Sequence, residues 1–461
     1  MRSKLLLFPI LFFAITSFSQ DSSFQLKDYK FRTPGFKALS IGANFSGATS
    51  DSKSGDLKKT ERSFFLLPSH LSYVRLISTE KRMHTSNFNF YSGGQTQYTE
   101  INGKSVKWKN FSYNFYWDRN DKLYKNNQWF FEIGNRLSNS LGTNRHRDTV
   151  YKNKNNNLEI EDRAVLGFGK GRVEIVQDAQ VALYILNDLE EEGLLNGPVP
   201  ANVALNLAKL ITEINTQRIF DNRKKRIYEL TRIESFLRSS GLVDKTDIRH
   251  FTIINDNWAL ALNPYRLSGR NWFVRFAPSA GFSKNTSQSE QIADKTTTSS
   301  EQKFLTVSPV IGYETFKPIN LKWQRNMGFN LSYQSSWRNT DAKSTFNGGS
   351  FNSENNSHES QMQLYSFYGI GYFPNNRTLL NANLVLEAVH SKYDNGPLKK
   401  STVVKPSLSF STDYFISYKT RFSAYWSLAY DYFNNKTTTD TNLKGHYFNT
   451  SLSLGLSHVI L

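Results

Sequence analysis

The chain has 461 residues and a formal net charge of +18, from 57 Lys and Arg against 39 Asp and Glu. It contains no Cys, which excludes a disulfide framework and thiolate metal sites, and its mean hydropathy of −0.52 is too low for a bundle of membrane-spanning helices. Aromatic residues still make up 14% of the chain, and this combination favours a membrane protein built from strands.

The first residues have the three parts of a secretory signal. Arg2 and Lys4 give a charged start, residues 5–15 are apolar, and small residues precede Gln20. The apolar run is shorter than the ~20 residues of a spanning helix, although a retained anchor is the alternative. We therefore predict a cleaved signal peptide over residues 1–19 and export of the mature chain.

Apolar and polar residues then alternate over residues 20–170 and again over residues 267–461. The last stretch is the clearest, with Phe448, Leu452, Leu454 and Leu456 on one face and small polar residues on the other. Such alternation predicts strands with one lipid-facing and one lumen-facing side. The fold class predicted is mainly β, a transmembrane antiparallel β-barrel of about 14 strands in two halves. We expect its longer polar links to be external loops and its short links to be periplasmic turns.

Residues 171–266 interrupt the alternation with apolar residues at helical spacing. Ala182, Ile185, Leu186 and Leu189 are the first such set, and three more sets follow. They predict a four-helix periplasmic insertion between strands 6 and 7, with an external module as the alternative. Residues 171–269 hold 12 Lys and Arg against 13 Asp and Glu, so the basic excess belongs to the barrel.

Two motifs in this region have both a functional and a structural interpretation. The Gly-rich run 167–171 resembles a phosphate-binding loop, but it matches neither common fingerprint and is better explained as a bend in the chain. A basic face of the module could bind lipid phosphates, peptidoglycan or a protein, or could simply be solvated. Its members are Arg218, Lys225, Arg226 and Arg232.

Charged residues within the strands are the candidate lumen residues. An ionised side chain on the lipid face costs up to ~2–4 kcal/mol near the bilayer midplane, so alternation assigns these charges to the lumen. They are Glu132, Arg136, Arg275, Glu314, Glu387, Lys405, Asp413 and Asp431. They either line a pore or pair with one another and brace the wall.

The sequence also resembles a group of uncharacterised Bacteroidetes-type outer-membrane β-barrel proteins that carry a periplasmic helical insertion. The resemblance is strongest over the insertion, about a fifth of the chain. It lies in the stretches 167–174, 178–179, 218–226, 236–237 and 255–258. It implies the fold and the cell outer membrane as the location, and it implies no reaction.

These observations predict a porin-like passive channel or transporter for small solutes, with the helical module at the periplasmic mouth. The alternative is a non-conducting barrel that anchors a periplasmic interaction module. The partners expected are outer-membrane lipid and lipopolysaccharide, a periplasmic protein or peptidoglycan through the module, and no nucleic acid. We expect no cofactor, no metal and no enzymatic activity. A Ser–His hydrolase in the wall is the third hypothesis, but the eight scattered His residues give no basis for choosing a pair.

Overall fold

The computed structural model describes residues 24–458, apart from residues 55–56, 126–127, 149, 218, 220, 261–265, 292–293, 347–348, 396–397, 418–419 and 440. The predicted signal peptide, residues 1–19, lies outside the described residues. The described chain is dominated by one antiparallel sheet, which four helices interrupt.

Sixteen strands form this sheet, and most pair with their neighbours in sequence. Six precede the helices: β1 Thr33–Ser54, β2 Leu57–Ser78, β3 Arg82–Ile101, β4 Lys104–Lys125, β5 Trp129–Arg147 and β6 Tyr151–Ile175. Ten follow them: β7 Leu267–Phe276, β8 Ser279–Gln291, β9 Asp294–Val307, β10 Pro309–Pro318, β11 Trp323–Phe346, β12 Gly349–Asn375, β13 Thr378–Tyr393, β14 Leu398–Ser417, β15 Thr420–Thr437 and β16 Asn442–His458.

The number of separate strands exceeds the predicted fourteen because two long strands are each broken near a proline. β7 and β8 pair with successive parts of β6, and Pro278 lies in the break between them. β9 and β10 pair with successive parts of β11, and Pro309 follows their break. Proline has no N–H to donate to a ladder, so the assigned strands end there while the chain continues in the same direction.

Most residues of the long polar links predicted as external loops belong to paired strands. Residues 339–346 and 349–356, for example, are opposite each other in the register of β11 and β12. Strands of 22 to 27 residues result, against the roughly 9–11 residues needed to cross a bilayer. The polarity of these links gives no information about pairing, because Ser, Thr and Asn on both faces are compatible with a hydrated antiparallel ladder.

The register separates the sheet into an apolar and a polar face. On the apolar face, Tyr333 of β11 is opposite Met362 of β12, and Tyr368 of β12 is opposite Leu384 of β13. These side chains are 41–53% exposed, although they are large and mostly apolar. Asn, Gln, Ser and charged residues occupy most of the alternate positions, and aromatic residues such as Tyr365 and Phe367 lie among them. A two-sided sheet of this kind has one surface suited to lipid and one suited to water.

β1 and β16 are the edge strands of the described sheet. No ladder among the described residues joins them, and Ile41 on β1 and Leu456 on β16 are 73% and 71% exposed. β16 is exposed along nearly its whole length, on both faces.

The helices are α1 Gln177–Glu191, α2 Ala201–Thr216, α3 Asn222–Ser239 and α4 Ile248–Leu260, and together they form the helical module. Their apolar stripes meet in a core in which Ile185, Leu207 and Leu237 are fully buried. Among the described residues, none of the helices combines the length and apolarity needed to cross a bilayer.

The module differs from the sequence prediction in two respects: where it begins after β6, and which N-terminal residues belong to it. β6 continues to Ile175, beyond the predicted start at residue 171, because Gly171 adopts a φ of +109° and stays in register opposite Asn271. The N-terminal segment, residues 24–32, was assigned to the barrel but packs into the module. Phe24, Leu26 and Tyr29 are buried in the helical core, and a single 3-10 turn is too short to leave a periodic signal in the sequence.

Candidate functional site

Three sets of contacts join the helical module to the end of the sheet where β6 ends and β7 begins. The most buried of them is made by Arg266. Its guanidinium donates to the carbonyl oxygens of Leu321, Asn320 and Trp323, at 2.6–3.1 Å, and to the side chain of Gln324 at 2.9 Å. It is fully buried, and burial lowers the pKa of Arg266 to about 10. The turn between β10 and β11 is thereby held against the base of the module.

A second link joins the module to the turn between β12 and β13. Arg377 donates to both carboxylate oxygens of Asp256, at 2.8 and 2.9 Å, and the amide of Asn376 donates to Asn257 at 2.8 Å. From α1, the buried Tyr184 reaches the carbonyl oxygen of Phe373 at 3.5 Å. Burial raises the pKa of Tyr184 to about 12, so its hydroxyl stays protonated and remains a donor.

A third link ties the N-terminal segment and β6 to the turn after β2. Arg32 donates to Glu174 at 2.9 and 3.0 Å, and Arg172 pairs with the same carboxylate at 2.9 Å. Arg172 also donates to the hydroxyl of Ser78 at 2.8 Å and to the carbonyl of Thr79 at 2.7 Å. β6 and β2 are four strand spacings apart, ~19 Å in a flat sheet, well beyond the reach of an Arg side chain. The sheet therefore curves at this end.

A buried polar network holds the N-terminal segment inside the module. The carboxylate of Asp178 accepts hydrogen bonds from Thr212 at 2.6 Å and from Asn215 at 3.1 Å. The hydroxyl of Tyr29 is hydrogen-bonded to that of Thr212. Burial raises the pKa of Asp178 and also that of Tyr29. The network has matched donors and acceptors, so it fixes where the segment docks.

A cavity of about 980 Å³ lies between the N-terminal segment, the β2–β3 turn and the ends of β4, β6 and β7. Its lining contains seven basic residues and three acidic ones. They are Lys27, Lys30, Arg32, Lys81, Lys125, Arg172 and Arg270, with Asp28, Glu80 and Glu174. The excess of positive charge suits an anionic occupant.

The eight predicted lumen residues all lie on the polar face of the sheet, by register. Glu132 is 1% exposed, accepts from Arg275 at 2.8 Å and from Asn120 at 2.7 Å, and so braces β5 against β4 and β7. Glu387 is opposite Lys405 in the register of β13 and β14. Asp413 accepts from Arg421, a partner that the sequence reasoning did not name. Whether this face lines an open lumen stays a prediction.

The remaining three predicted charges have weaker partners. Arg136 lies 3.4 Å from Asp118 and its guanidinium lies over the ring of Tyr116. Asp431 accepts from Asn449 at 3.5 Å. Glu314 is opposite Gly328 on β11 and Asn271 on β7, so its immediate neighbours in register carry no charge. Most of these charges are thus arranged in local pairs rather than as a continuous ring.

The basic face predicted on the module is largely neutralised within the module. Arg226 donates to Asn255 at 3.0 Å and pairs with Glu229, joining α3 to α4. Lys225 lies 3.8 Å from the same Glu229, and Arg232 pairs with Glu213 on α2 at 3.1 Å. Arg218 lies outside the described residues. The helical spacing identified the positions and places Glu229 of α3 beside Lys225 and Arg226, but it could not show that Glu213 of α2 faces Arg232.

The structure also explains the Gly-rich run of β6. A Cβ at Gly169 would lie 2.3 Å from the carbonyl of Trp272 and 2.5 Å from the ring of Phe130. A Cβ at Gly171 would lie 2.1 Å from the carbonyl of Arg270. These glycines allow close approach of β7 and of a buried aromatic ring. The run stays in unbroken register with β7, so the glycines serve close packing within a continuous strand, and the predicted bend of the chain is wrong.

No model of a protein family matches the sequence, and no curated protein matches it. Among solved structures, the translocator domain of the autotransporter NalP from Neisseria meningitidis is similar over 83% of this chain and 89% of that chain, at 10% identity and a TM-score of 0.28. The TodX monoaromatic hydrocarbon channel, as a deletion mutant, is similar over 92% and 90%, at 10% identity and a TM-score of 0.28. The ferric yersiniabactin uptake receptor FyuA from Yersinia pestis is similar over 92% and 73%, at 7% identity and a TM-score of 0.32. Scores this low assign no function.

Proposed function

We propose that the chain is an exported outer-membrane β-barrel whose periplasmic mouth is closed by the helical module and the N-terminal segment. The apolar face would contact lipid and the polar face would line the interior. β1 and β16 would pair in the membrane, because an unpaired edge strand leaves backbone groups without partners in hydrocarbon. The partners expected at the surface are membrane lipid and lipopolysaccharide.

This proposal depends on one observation: the helical module and the N-terminal segment contact turns that are far apart along the same edge of the sheet. The β2–β3 turn and the β12–β13 turn are eight strand spacings apart, ~38 Å in a flat sheet. α1, with 15 residues, is only ~22 Å long. A curved wall brings both turns within reach of a small module, and the module then lies across the opening that the wall surrounds.

The contacts favour a fixed closure over a mobile one. Movement of the helical module away from the sheet would separate Arg266 from four acceptors and Arg377 from Asp256. It would also expose the core around Tyr29. Each buried hydrogen-bonding group left unpaired costs ~1–3 kcal/mol. The non-conducting anchor, with a periplasmic module available to a protein or peptidoglycan partner, is therefore the favoured form of the proposal.

A second candidate follows from the basic cavity beside the N-terminal segment. Seven cationic side chains at the proposed mouth would concentrate small anions there. A channel for anionic solutes, opened by release of the module, would use this cavity as its vestibule.

The test is solute influx into vesicles that contain the full-length protein. We expect no influx of a small anionic dye through the wild type, and influx after Arg377→Ala is combined with Arg266→Met, because both rim contacts are then lost. Arg223→Met, at an exposed position of α3, is the matched control. Influx through the wild type equal to that through the double variant would contradict a closed mouth.

A further inference from the structure

Three polar side chains meet on the apolar face of the sheet, outside the module end. The hydroxyl of Ser335 lies 2.8 Å from Nε2 of His358, and Nδ1 of the same ring lies 2.8 Å from Oδ2 of Asp394. A carboxylate can only accept, so Nδ1 carries a proton and donates it to Asp394. Nε2 is then the acceptor for the Ser335 hydroxyl. This is the arrangement in which an imidazole serves as the base for a serine nucleophile.

The register of three adjacent strands builds this group. Ser335 on β11 is opposite Ser360, and His358 on β12 is opposite Trp337. Asp394 follows the last residue of β13, and its backbone N–H donates to the carbonyl of His358 at 3.0 Å. The carboxylate is therefore held beside the imidazole by a backbone hydrogen bond as well as by its own contact.

The group lies where the apolar face becomes polar. Towards the module end, the same face carries Tyr333, Met362 and Leu386. Away from it, the face carries Asn339 and Asn356. Tyr333 and Trp337 flank Ser335 and are 48% and 46% exposed, as aromatic side chains at a membrane–water interface are. A lipid standing against this wall would place its acyl chains on the apolar side and its head group on the polar side.

A cavity of about 550 Å³ adjoins the group on the polar side. His358 and Asp394 line it together with Trp337, and Lys303 and Asn356 bring N–H groups to its lining. Donors of this kind stabilise the oxyanion that forms when a carbonyl is attacked, and an ammonium also suits a head-group phosphate.

We propose that Ser335, His358 and Asp394 form a hydrolytic site that cleaves fatty acyl esters of membrane glycerophospholipids. This inference rests on the proposed membrane barrel only for the assignment of the apolar face to lipid. The nucleophile is Ser335, the base and then acid is His358, and Asp394 is a positioning residue that holds the ring.

The chemistry needs only the ester and water. Oγ of Ser335 bonds to the acyl carbonyl carbon while its proton passes to Nε2 of His358; the bond from that carbon to the glycerol oxygen then breaks, and this oxygen takes the proton. Water next gives a proton to Nε2, its oxygen bonds to the acyl carbon, and Ser335 leaves and regains the proton. One ester and one water yield one fatty acid and one lysolipid.

Access to the nucleophile requires movement of one ring. Ser335 is 6% exposed, and the indole of Trp337 is stacked with the imidazole of His358 at a centroid separation of 5.2 Å. Because Trp337 is on the face assigned to lipid, an acyl chain could take the place of its indole. Substrate would then reach Ser335 from the membrane side rather than from the lumen.

The experiment uses the full-length protein in mixed micelles of detergent and phosphatidylethanolamine, with release of fatty acid as the readout. We expect release by the wild type and a loss of about 10³-fold or more in Ser335→Ala and His358→Gln. Ser366→Ala, which removes a hydroxyl from the same face of β12, should retain the wild-type rate. A fluorophosphonate probe should label the wild type at Ser335 and leave Ser335→Ala unlabelled.

The proposal is overturned if the folded wild type neither releases fatty acid nor reacts with the probe. It is also overturned if Ser335→Ala releases fatty acid at the wild-type rate. Hydrolysis of a soluble short-chain ester without hydrolysis of phosphatidylethanolamine would overturn the lipid assignment. None of these outcomes depends on whether the barrel conducts, so failure here is distinct from failure of the closed-mouth proposal.

Discussion

At the scale of single residues, Asp178 is the buried carboxylate on which the docking of the N-terminal segment depends. It is 7% exposed and lies among Thr212, Asn215 and Tyr29, and none of the described Lys or Arg side chains forms an ion pair with it. Burial raises the pKa of Asp178 above its ordinary value of 3.8. The folded module therefore binds this proton more tightly than the unfolded chain does.

This gives the module a defined pH dependence. The contribution of Asp178 to stability is fully present below pH 3.8 and is lost as the pH rises through the raised pKa. Within that window each unit of rising pH lowers the free energy of unfolding by up to ~1.4 kcal/mol. We expect Asp178→Asn to flatten the pH dependence of thermal unfolding, measured by the helical circular dichroism signal. Asp244→Asn, at an exposed position, is the control, and equal slopes in Asp178→Asn and wild type would contradict the assignment.

Residues whose position depends on alternation alone are predictable from the sequence. Glu132, Arg275 and Glu387 were assigned to the polar face from their neighbours two positions away, and register needs nothing more. The contacts of Arg266 and Arg172 with distant turns could not be recognised, because most of their acceptors are far away in the sequence. The contact between Ser335 and His358 spans 23 positions, and that between His358 and Asp394 spans 36, across three strands whose pairing the sequence does not specify.

At the scale of elements, the two edge strands give the most specific prediction, which is that they pair with each other. β1 and β16 present Leu39 and Leu452 on the apolar face, at 64% and 68% exposure. A chain without Cys is well suited to a cross-linking test, because every introduced thiol is unique. Closure of the sheet predicts that β1 and β16 lie antiparallel and within disulfide distance in the membrane.

We expect Leu39→Cys combined with Cys at one of positions 450, 452, 454 or 456 to form a disulfide in outer-membrane fractions. The partner position that reacts will report the register between the two strands. Leu39→Cys with Phe329→Cys on β11, also on the apolar face, is the control that should not react. Absence of cross-linking at all four partner positions would contradict closure between β1 and β16.

Elements were predictable where the periodicity was strong. The four apolar sets between residues 171 and 266 correspond to α1–α4, because helices bury a stripe that recurs every three to four residues. The polar hairpins beyond the apolar band were not predictable as strands, since pairing between hydrated backbones leaves no apolar pattern. The 3-10 turn at Leu26–Asp28 was also not predictable, because a turn of three residues is too short to show a periodic pattern of apolar residues.

At the scale of the whole molecule, two regions of one sheet differ in their chemistry. At one end of the sheet, hydrogen bonds link the helical module to distant turns. On the apolar face, Ser335, His358 and Asp394 are in hydrogen-bond contact at the border with the polar hairpins. Overall composition predicted the strand-rich class, whereas both regions depend on long-range register. If both proposals hold, the protein is a barrel that is closed at one end and hydrolytic on its outer face, and such a protein needs no solute to pass through it.

The most direct test of the closed mouth is single-channel conductance in planar bilayers. The two proteins to compare are the full-length chain and a variant that lacks residues 24–32 and has residues 177–265 replaced by a short turn. We predict silence from the full-length protein and steady, anion-selective steps from the variant, because the polar face is then open at both ends. Steady conductance of equal size in both proteins would contradict the claim that the module closes the barrel.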